Sequence, residues 1–352
     1  MAMISLGNRL VGENQPCFVI AEIGQNHQGD INTAKRLIDV AKECGADCVK
    51  FQKSCLKEKF TKNALESPYV SPHSWGSTYG EHKSFLELSE DDYTELQSYS
   101  RGKNIMFTAS AMDPVSLEFL ITLKVPFIKI GSGDSDNLLL IEEAARSGVP
   151  LVISTGMQDL EGVKRVRSVV ETHHKNFSLL HCVSAYPTPV KEANLQAITT
   201  LKIAFPGVVV GYSGHEEGYN LTLAAVALGA KIVERHITLD KTWKGNDHKC
   251  SLTREELKSM IDGIREIELA MGTGVKTIME CEKPCMRKLG KTIVASKNLD
   301  IHRVLQEGDL KIKVARELGF PPHTVSNLIG KKLVECLSED DVIRREHLDY
   351  SP

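Results

Sequence analysis

At 352 residues and a formal charge of −3, the chain is long enough to bury a sizeable core. Its charge is too evenly balanced to favour nucleic acid or a membrane surface as a partner. Its nine cysteines are scattered and odd in number, and only Cys281 and Cys285 form a close C-terminal pair, so neither a disulfide framework nor a paired-cysteine zinc site is supported. A reduced, cytoplasmic protein is expected, because the opening MAMISLGNRLVGENQ lacks a signal-peptide core and no later apolar run is long enough to span a bilayer.

In chain order, CFVIAEIGQ (17–25) reads as a strand. The helical spacing of Ala34, Leu37, Ile38 and Ala41 follows, with Asp30 as N-cap. DCVKFQK is the second strand. Residues 54–90 form a polar insertion bearing Trp75, Tyr79 and His82, too long for an ordinary loop and expected to act as a lid. After a helix near 90–101, strand and helix alternate: NIMFTAS with DPVSLEFLITLK, VPFIKIGSGD with LLLIEEAARSG, LVISTGM with LEGVKRVRSVVETHH, and FSLLHCVSA with NLQAITTLKIAF. VVVGYSGH with LTLAAVALG, and KIVERHITL with the helix ending in IELAMG, complete eight units. Eight alternating units predict an α/β fold, a closed (β/α)8 TIM barrel with its active site at the C-terminal ends of the strands. The rival is a doubly wound open sheet, but GQNHQGD lacks the Gly-rich phosphate-loop spacing. From about residue 275 the texture changes to a charged connector and then short alternating segments. The expected division is a barrel over 1–274, a linker over 275–288 and a small β-rich domain over 289–352.

Side chains alternate along a strand, so Gly211, Ser213 and His215 share one face, as do Glu234 and His236 on the next strand. Two imidazoles facing one cavity suit a divalent ion that must also hold substrate. At the other strand ends stand Glu22, then Lys50 with Gln52, Lys129 with Ser132, Ser154, and Ser184 with Tyr186. Lysine among hydroxyls, with small glycines at 131, 133 and 156 allowing close backbone approach, is what a phosphate or carboxylate needs. A phosphorylated or dicarboxylate-like small molecule is the expected ligand.

AEIGQNHQGD, VKFQK, HSWGSTYGEH, FIKIGSGD, SAYPTP, GYSGHEEG and ERHITLDKTWKGNDH, in this order and spanning nearly the whole chain, closely resemble the sialic acid synthases. FPPHTVSNLIGKK resembles the antifreeze-like (SAF) domain of that family, and HSWGSTYGEH with TWKGNDH looks like its animal branch. The resemblance implies condensation of N-acetylmannosamine 6-phosphate with phosphoenolpyruvate to N-acetylneuraminate 9-phosphate in a domain-exchanged homodimer. It implies His215 and His236 as ligands of a divalent ion, Mn2+ or Mg2+, and Glu22 as an essential carboxylate. Lys129, Ser132, Ser154, Ser184 and Ser213 match the phosphoenolpyruvate pocket, with Tyr186 beside it, while Lys50, Gln52 and Asp247 match groups near the reacting centre and the sugar. Arg316 aligns with an arginine that, in bacterial members, reaches the sugar bound by the neighbouring subunit. His82, Lys83 and Lys62 in the insertion are candidate partners for the sugar phosphate. Two departures stand out: after GNDH the chain reads KCSL, where the family usually carries a small Ala before Ser-Leu, so Lys249 and Cys250 bring bulk and charge beside Asp247, and the turn IHRVLQEGDL is short and lacks an early Gly. The same condensation on free N-acetylmannosamine or another acylated hexosamine is the alternative, and a carbohydrate-binding pseudoenzyme the remote one.

Overall fold

Eight parallel strands close into a barrel in the computed structural model, which describes residues 2–350. The chain divides into two compact units, Met1–Gly272 and Thr273–Pro352. The first opens with an antiparallel hairpin, β1 (Met3–Leu6) and β2 (Arg9–Gly12). The barrel strands follow: β3 (Phe18–Gly24), β4 (Cys48–Lys53), β5 (Met106–Ala111), β6 (Ile128–Ile130), β7 (Leu151–Ser154), β8 (Phe177–Cys182), β9 (Val209–Gly214) and β10 (Ile232–His236). Each pairs with its sequence neighbour, and β10 closes onto β3 with His236 opposite Glu22, so the open doubly wound sheet is excluded.

These strands are apolar because both faces are covered. On β3, the outward Val19, Ala21 and Ile23 join the main core with Ala34, Leu37, Ile38 and Ala41 of the helix Ile31–Cys44. Asp30 caps that helix by accepting from the backbone N–H groups of Asn32 and Thr33, as expected. The inward Phe18 and Ile20 belong to a second cluster with Cys48, Phe127, Val152, Leu180, Val209 and Ile232, which Ile4, Leu6 and Val11 of the hairpin also join. Burying such a side chain stabilises by about 1.5–3 kcal/mol. Two and four residues further along the same inward faces stand Glu22, Lys50, Lys129, Ser154, Ser213 and Glu234, all buried. The barrel interior is therefore apolar near the hairpin and ionic toward the strand C-termini. The hairpin lies within the opening segment MAMISLGNRLVGENQ, for which the sequence predicts no strand.

The 54–90 insertion is folded. It holds the helices Leu56–Lys59, Lys62–Glu66 and Tyr79–Leu86, and a bridge joins Pro68 to Thr78. Thr78 and Glu81 form a capping box on the last helix. Trp75 stacks on His82 at 5.7 Å and on Phe85 at 5.3 Å between ring centroids. His82 Nδ1 accepts from the Trp75 backbone N–H, so aromatic packing and that bond order the segment.

In the second unit, β11 (Lys291–Ala295) pairs antiparallel with β12 (Leu310–Val314) over a core that includes Ile293, Leu299, Leu305, Leu328, Leu333, Leu337, Ile343 and Leu348. Residues 275–288, expected as linker, are all exposed and run into the helix Lys283–Leu289. In the turn IHRVLQEGDL, His302 takes a left-handed backbone with φ +66°, where glycine is the unstrained residue. Arg303 clamps that turn by donating from Nε and Nη2 to Asp309, each at 2.9 Å. Among the described residues, no helix is long and apolar enough to cross a membrane.

Candidate active site

A cavity of about 460 Å3 lies at the C-terminal ends of the barrel strands, floored by the inward polar residues. Twelve of the expected site residues line it: Glu22, Lys50, Gln52, Lys129, Ser132, Ser154, Ser184, Tyr186, Ser213, His215, His236 and Asp247. Arg316 lies in the second unit and is exposed.

At the cavity floor, carboxylates and ammonium groups alternate. Lys50 Nζ is 2.7 Å from Glu22 Oε2 and 3.7 Å from Glu234 Oε1, and Lys129 Nζ is 3.6 Å from Glu234 Oε1. Gln52 Nε2 donates to Glu22 Oε1 at 2.8 Å, and Lys50 Nζ donates to Ser110 Oγ at 3.0 Å. Burial raises the Glu22 carboxyl to about 7, against the pull of Lys50 and with help from Glu234. Glu234 is buried too, but Lys129 and Lys50 outweigh burial and hold it below the ordinary range. Of these two carboxyls, burial pushes Glu22 up while the two lysines hold Glu234 down. Lys50 is held charged by Glu22 and Glu234 despite burial, whereas burial lowers Lys129.

An anion cradle stands on β6 to β8. Lys129 Nζ donates to Ser154 Oγ at 2.7 Å, and the Gly156 N–H donates to Ser132 Oγ at 3.1 Å. Ser184 Oγ is buried with no hydrogen-bond partner. A Cβ on Gly156 would meet Ser184 Oγ at 2.3 Å and Ser132 Oγ at 2.6 Å, so only glycine admits both hydroxyls here. Gly131 and Gly133 also line the cavity, and no protein atom stands within 4 Å of a Cβ at either, so the space beside them is open.

The two histidines face the same cavity, with ring centroids 5.4 Å apart and Tyr186 4.1 Å from His215. His215 Nδ1 lies 3.1 Å from the Val183 carbonyl oxygen, a contact that requires an N–H, which leaves the Nε2 lone pair available. Burial first, and then His236, lower His215 to about 4, and burial lowers His236 as well, so both rings are neutral at pH 7. His236 Nδ1 is buried without a hydrogen-bond partner, with Asp247 Oδ2 3.7 Å away. Two neutral imidazoles with an orphaned nitrogen fit a divalent cation. Among the described residues, no group of three His, Cys, Asp or Glu is placed to hold an ion. Arg235, fully buried on β10 between the inward Glu234 and His236, donates to Glu216 Oε1 at 2.8 Å, to the Glu216 carbonyl at 2.7 Å and to the Cys250 carbonyl at 3.3 Å. It ties together the loops that carry His215 and Asp247.

Three residues singled out from the sequence lie elsewhere or act otherwise. Lys62 is exposed beside Glu66, and Lys249 is exposed beside Glu217, outside the main cavity. Cys250 is buried, its thiol donating to the Asp247 carbonyl, so its bulk faces inward and not toward the cavity. Sequence reasoning assigned no role to Glu234, Ser110 or Lys59, which also line the cavity. Glu234 was within reach, since the period of two from His236 aims it inward.

Fold and cavity define a class: a (β/α)8-barrel enzyme with an ionisable, anion-ready pocket at the strand C-termini. The chain belongs to the NeuB family, whose profile matches residues 37–276. It is 51% identical to an N-acetylneuraminate-9-phosphate synthase of Mus musculus and to one of Homo sapiens, in each case over 97% of this chain and 95% of the relative. Among solved structures it resembles an N-acetylneuraminic acid (sialic acid) synthetase from Leptospira borgpetersenii in complex with citrate, with a TM-score of 0.72, 34% identity, and coverage of 81% of this chain and 95% of that one.

Proposed function

We propose that the chain condenses phosphoenolpyruvate with N-acetylmannosamine 6-phosphate and water, giving N-acetylneuraminate 9-phosphate and phosphate. The observation that carries this reading is the match, over nearly the whole chain, to the two mammalian N-acetylneuraminate-9-phosphate synthases. In this reading C3 of phosphoenolpyruvate bonds to C1 of the open-chain sugar, water adds at C2, and the C2–O bond to phosphate breaks. Lys129, Ser132, Ser154, Ser184, Ser213 and the Gly156 N–H hold the anionic groups of phosphoenolpyruvate, because hydroxyls and amides aimed at one cradle favour an oxyanion. Glu22, held by Gln52 and poised near 7, takes the proton from the attacking water, and Lys50 steadies the charge that Glu22 carries before that transfer. Asp247, beside His236, contacts the sugar, and Tyr186, against His215, stands beside the phosphoenolpyruvate pocket. His215 and His236 would hold Mn2+ or Mg2+, which supplies Lewis acidity toward the sugar aldehyde oxygen.

The same reading makes the second unit an antifreeze-like domain, exchanged between the subunits of a homodimer, whose Arg316 reaches the partner's sugar. A side-by-side assay tests the reaction: each sugar, phosphorylated or free, is incubated with phosphoenolpyruvate and Mn2+ or Mg2+, and products are identified by mass. Phosphate release with a nine-carbon phosphorylated acid as product is expected, and exhaustive chelation should abolish it. Product from the free sugar alone, or no phosphate release with either sugar, would overturn the proposal. For the ion, calorimetric titration of Mn2+ into His215→Ala or His236→Ala should show lost binding. Wild-type binding in either variant would remove the histidines from the ion site.

A further inference from the structure

Four lysines line the cavity, and they fall into two kinds. Lys50 and Lys129, on the barrel strands, each lie within 4 Å of a carboxylate. Lys59 and Lys83, both from the insertion, do not: among the described residues neither forms an ion pair. Lys83 Nζ donates only to the amide oxygen of Gln25, at 3.0 Å, and passes 5.6 Å from the Tyr79 ring. Lys59 Nζ meets the Met112 sulfur at 2.8 Å and the Phe60 ring at 5.2 Å. An ammonium carries three donors, so both groups hold unused N–H bonds in a half-enclosed space where an unpaired charge is costly. Burial lowers both, and Lys83 lowers Lys59 further, as expected for two like charges sharing a site. Asp134 is the carboxylate that Lys59 senses most, and Asp247 and Glu87 are those that Lys83 senses, yet all stay beyond ion-pair distance.

We infer that Lys83 and Lys59 form the subsite for the 6-phosphate of the sugar, so that the insertion sets the preference for phosphorylated over free substrate. This rests on the reaction proposed above. A dianion satisfies two ammonium groups at once. The phosphate stands at the opposite end of the sugar from its reacting aldehyde, so its partners must come from elements other than the histidine-bearing strand ends, and the insertion supplies them. Two other basic residues of the insertion are unsuited. Lys62 points to solvent beside Glu66, and His82 is lowered by burial and by Lys83 and Lys244, leaving its ring neutral and packed under Trp75.

The test measures kcat and KM for the phosphorylated sugar, the free sugar and phosphoenolpyruvate in the wild type, Lys83→Gln, Lys59→Gln and Lys83→Arg. For each Gln variant the ratio of kcat/KM between phosphorylated and free sugar should fall about ten- to a hundredfold, through KM, as for a lost charged hydrogen bond. Lys83→Arg, which keeps the charge, should retain most of the preference, and its recovery separates a lost charge from a misfolded insertion. An unchanged ratio in both Gln variants, or a rise confined to the KM of phosphoenolpyruvate, overturns the assignment. A wild type that does not prefer the phosphorylated sugar overturns the substrate reading itself, and this subsite with it.

Discussion

Glu22 sits where two opposed influences meet, and their balance makes it useful. Burial alone would keep it protonated, and Lys50 at 2.7 Å alone would keep it ionised. Held between the two, it can give up and regain a proton near pH 7, which a structural ion pair has no need to do. Glu22→Gln preserves shape and the contact with Gln52 but removes that proton, so kcat should fall by about a hundredfold or more while the KM for phosphoenolpyruvate changes little. If the variant instead keeps its rate and loses thermal stability, Glu22 serves only to balance Lys50. A second residue-level constraint is steric. A methyl group at position 156 would enter the space of two hydroxyls in the anion cradle, at 2.3 and 2.6 Å. Gly156→Ala should therefore raise the KM for phosphoenolpyruvate by about tenfold or more, since a displacement near 1 Å at a binding site is costly, with little change in melting temperature. Steady-state kinetics beside a thermal melt decides it, and an unaltered KM would show that the cradle does not hold this substrate.

The elements show why some of this was legible in the sequence and some was not. Strands buried on both faces must be continuously apolar, so VVVGYSGH and KIVERHITL announce themselves, and a period of two then aims Ser213, Glu234 and His236 inward without any knowledge of the fold. The eightfold alternation gave the barrel, and the barrel placed twelve expected residues around one cavity. What stayed hidden depends on contacts between distant segments. The hairpin β1–β2 has no strong pattern of its own and is defined by packing Ile4, Leu6 and Val11 against barrel residues. Whether Lys59, Lys62 or Lys83 faces the cavity depends on how a helix of four, five or eight residues is turned, and no periodicity survives over so short a run. In the second unit, the short turn lacking an early glycine reads as a defect, yet the structure compensates it. His302 pays the left-handed backbone, and Asp309, buried and accepting from Arg303, Gln306 and Lys297, closes the turn. Hydrogen bonds from Arg303 lower Asp309 to about 2. Because the folded value lies below the unfolded one near 4, the stabilisation is present above pH 4 and is lost as pH falls toward 2. Asp309→Asn should thus destabilise the second unit at pH 6, with the difference from wild type shrinking by pH 2.5. Thermal melts across that range check it, and a pH-independent difference would mean the charge contributes nothing.

At the scale of the whole molecule, the two units have separate apolar cores, and the second is small. A domain of roughly 65 to 80 residues buries a limited fraction of its surface and gains from docking. Docking over a barrel mouth would also exclude water from a reaction in which a water molecule must add at one carbon and nowhere else. Arg316, exposed just after β12, carries a fixed charge and a planar fork suited to a carbonyl or carboxylate acceptor. If that fork serves the site of the neighbouring subunit, each active site is built from the barrel of one chain and the Arg316 of the other. Subunits carrying Arg316→Ala and subunits carrying Glu22→Gln would then each form inactive homodimers. In a mixed dimer, one site would combine the intact Glu22 of the first with the intact Arg316 of the second, and the other site would lack both. Mixing the two inactive proteins under conditions of subunit exchange should restore activity, up to about half of the wild-type sites in each heterodimer, because the two substitutions segregate to one site. Proven heterodimers without recovery would place Arg316 beside its own barrel or outside catalysis altogether, and substantial activity of the Arg316→Ala homodimer would show that the site is complete without it.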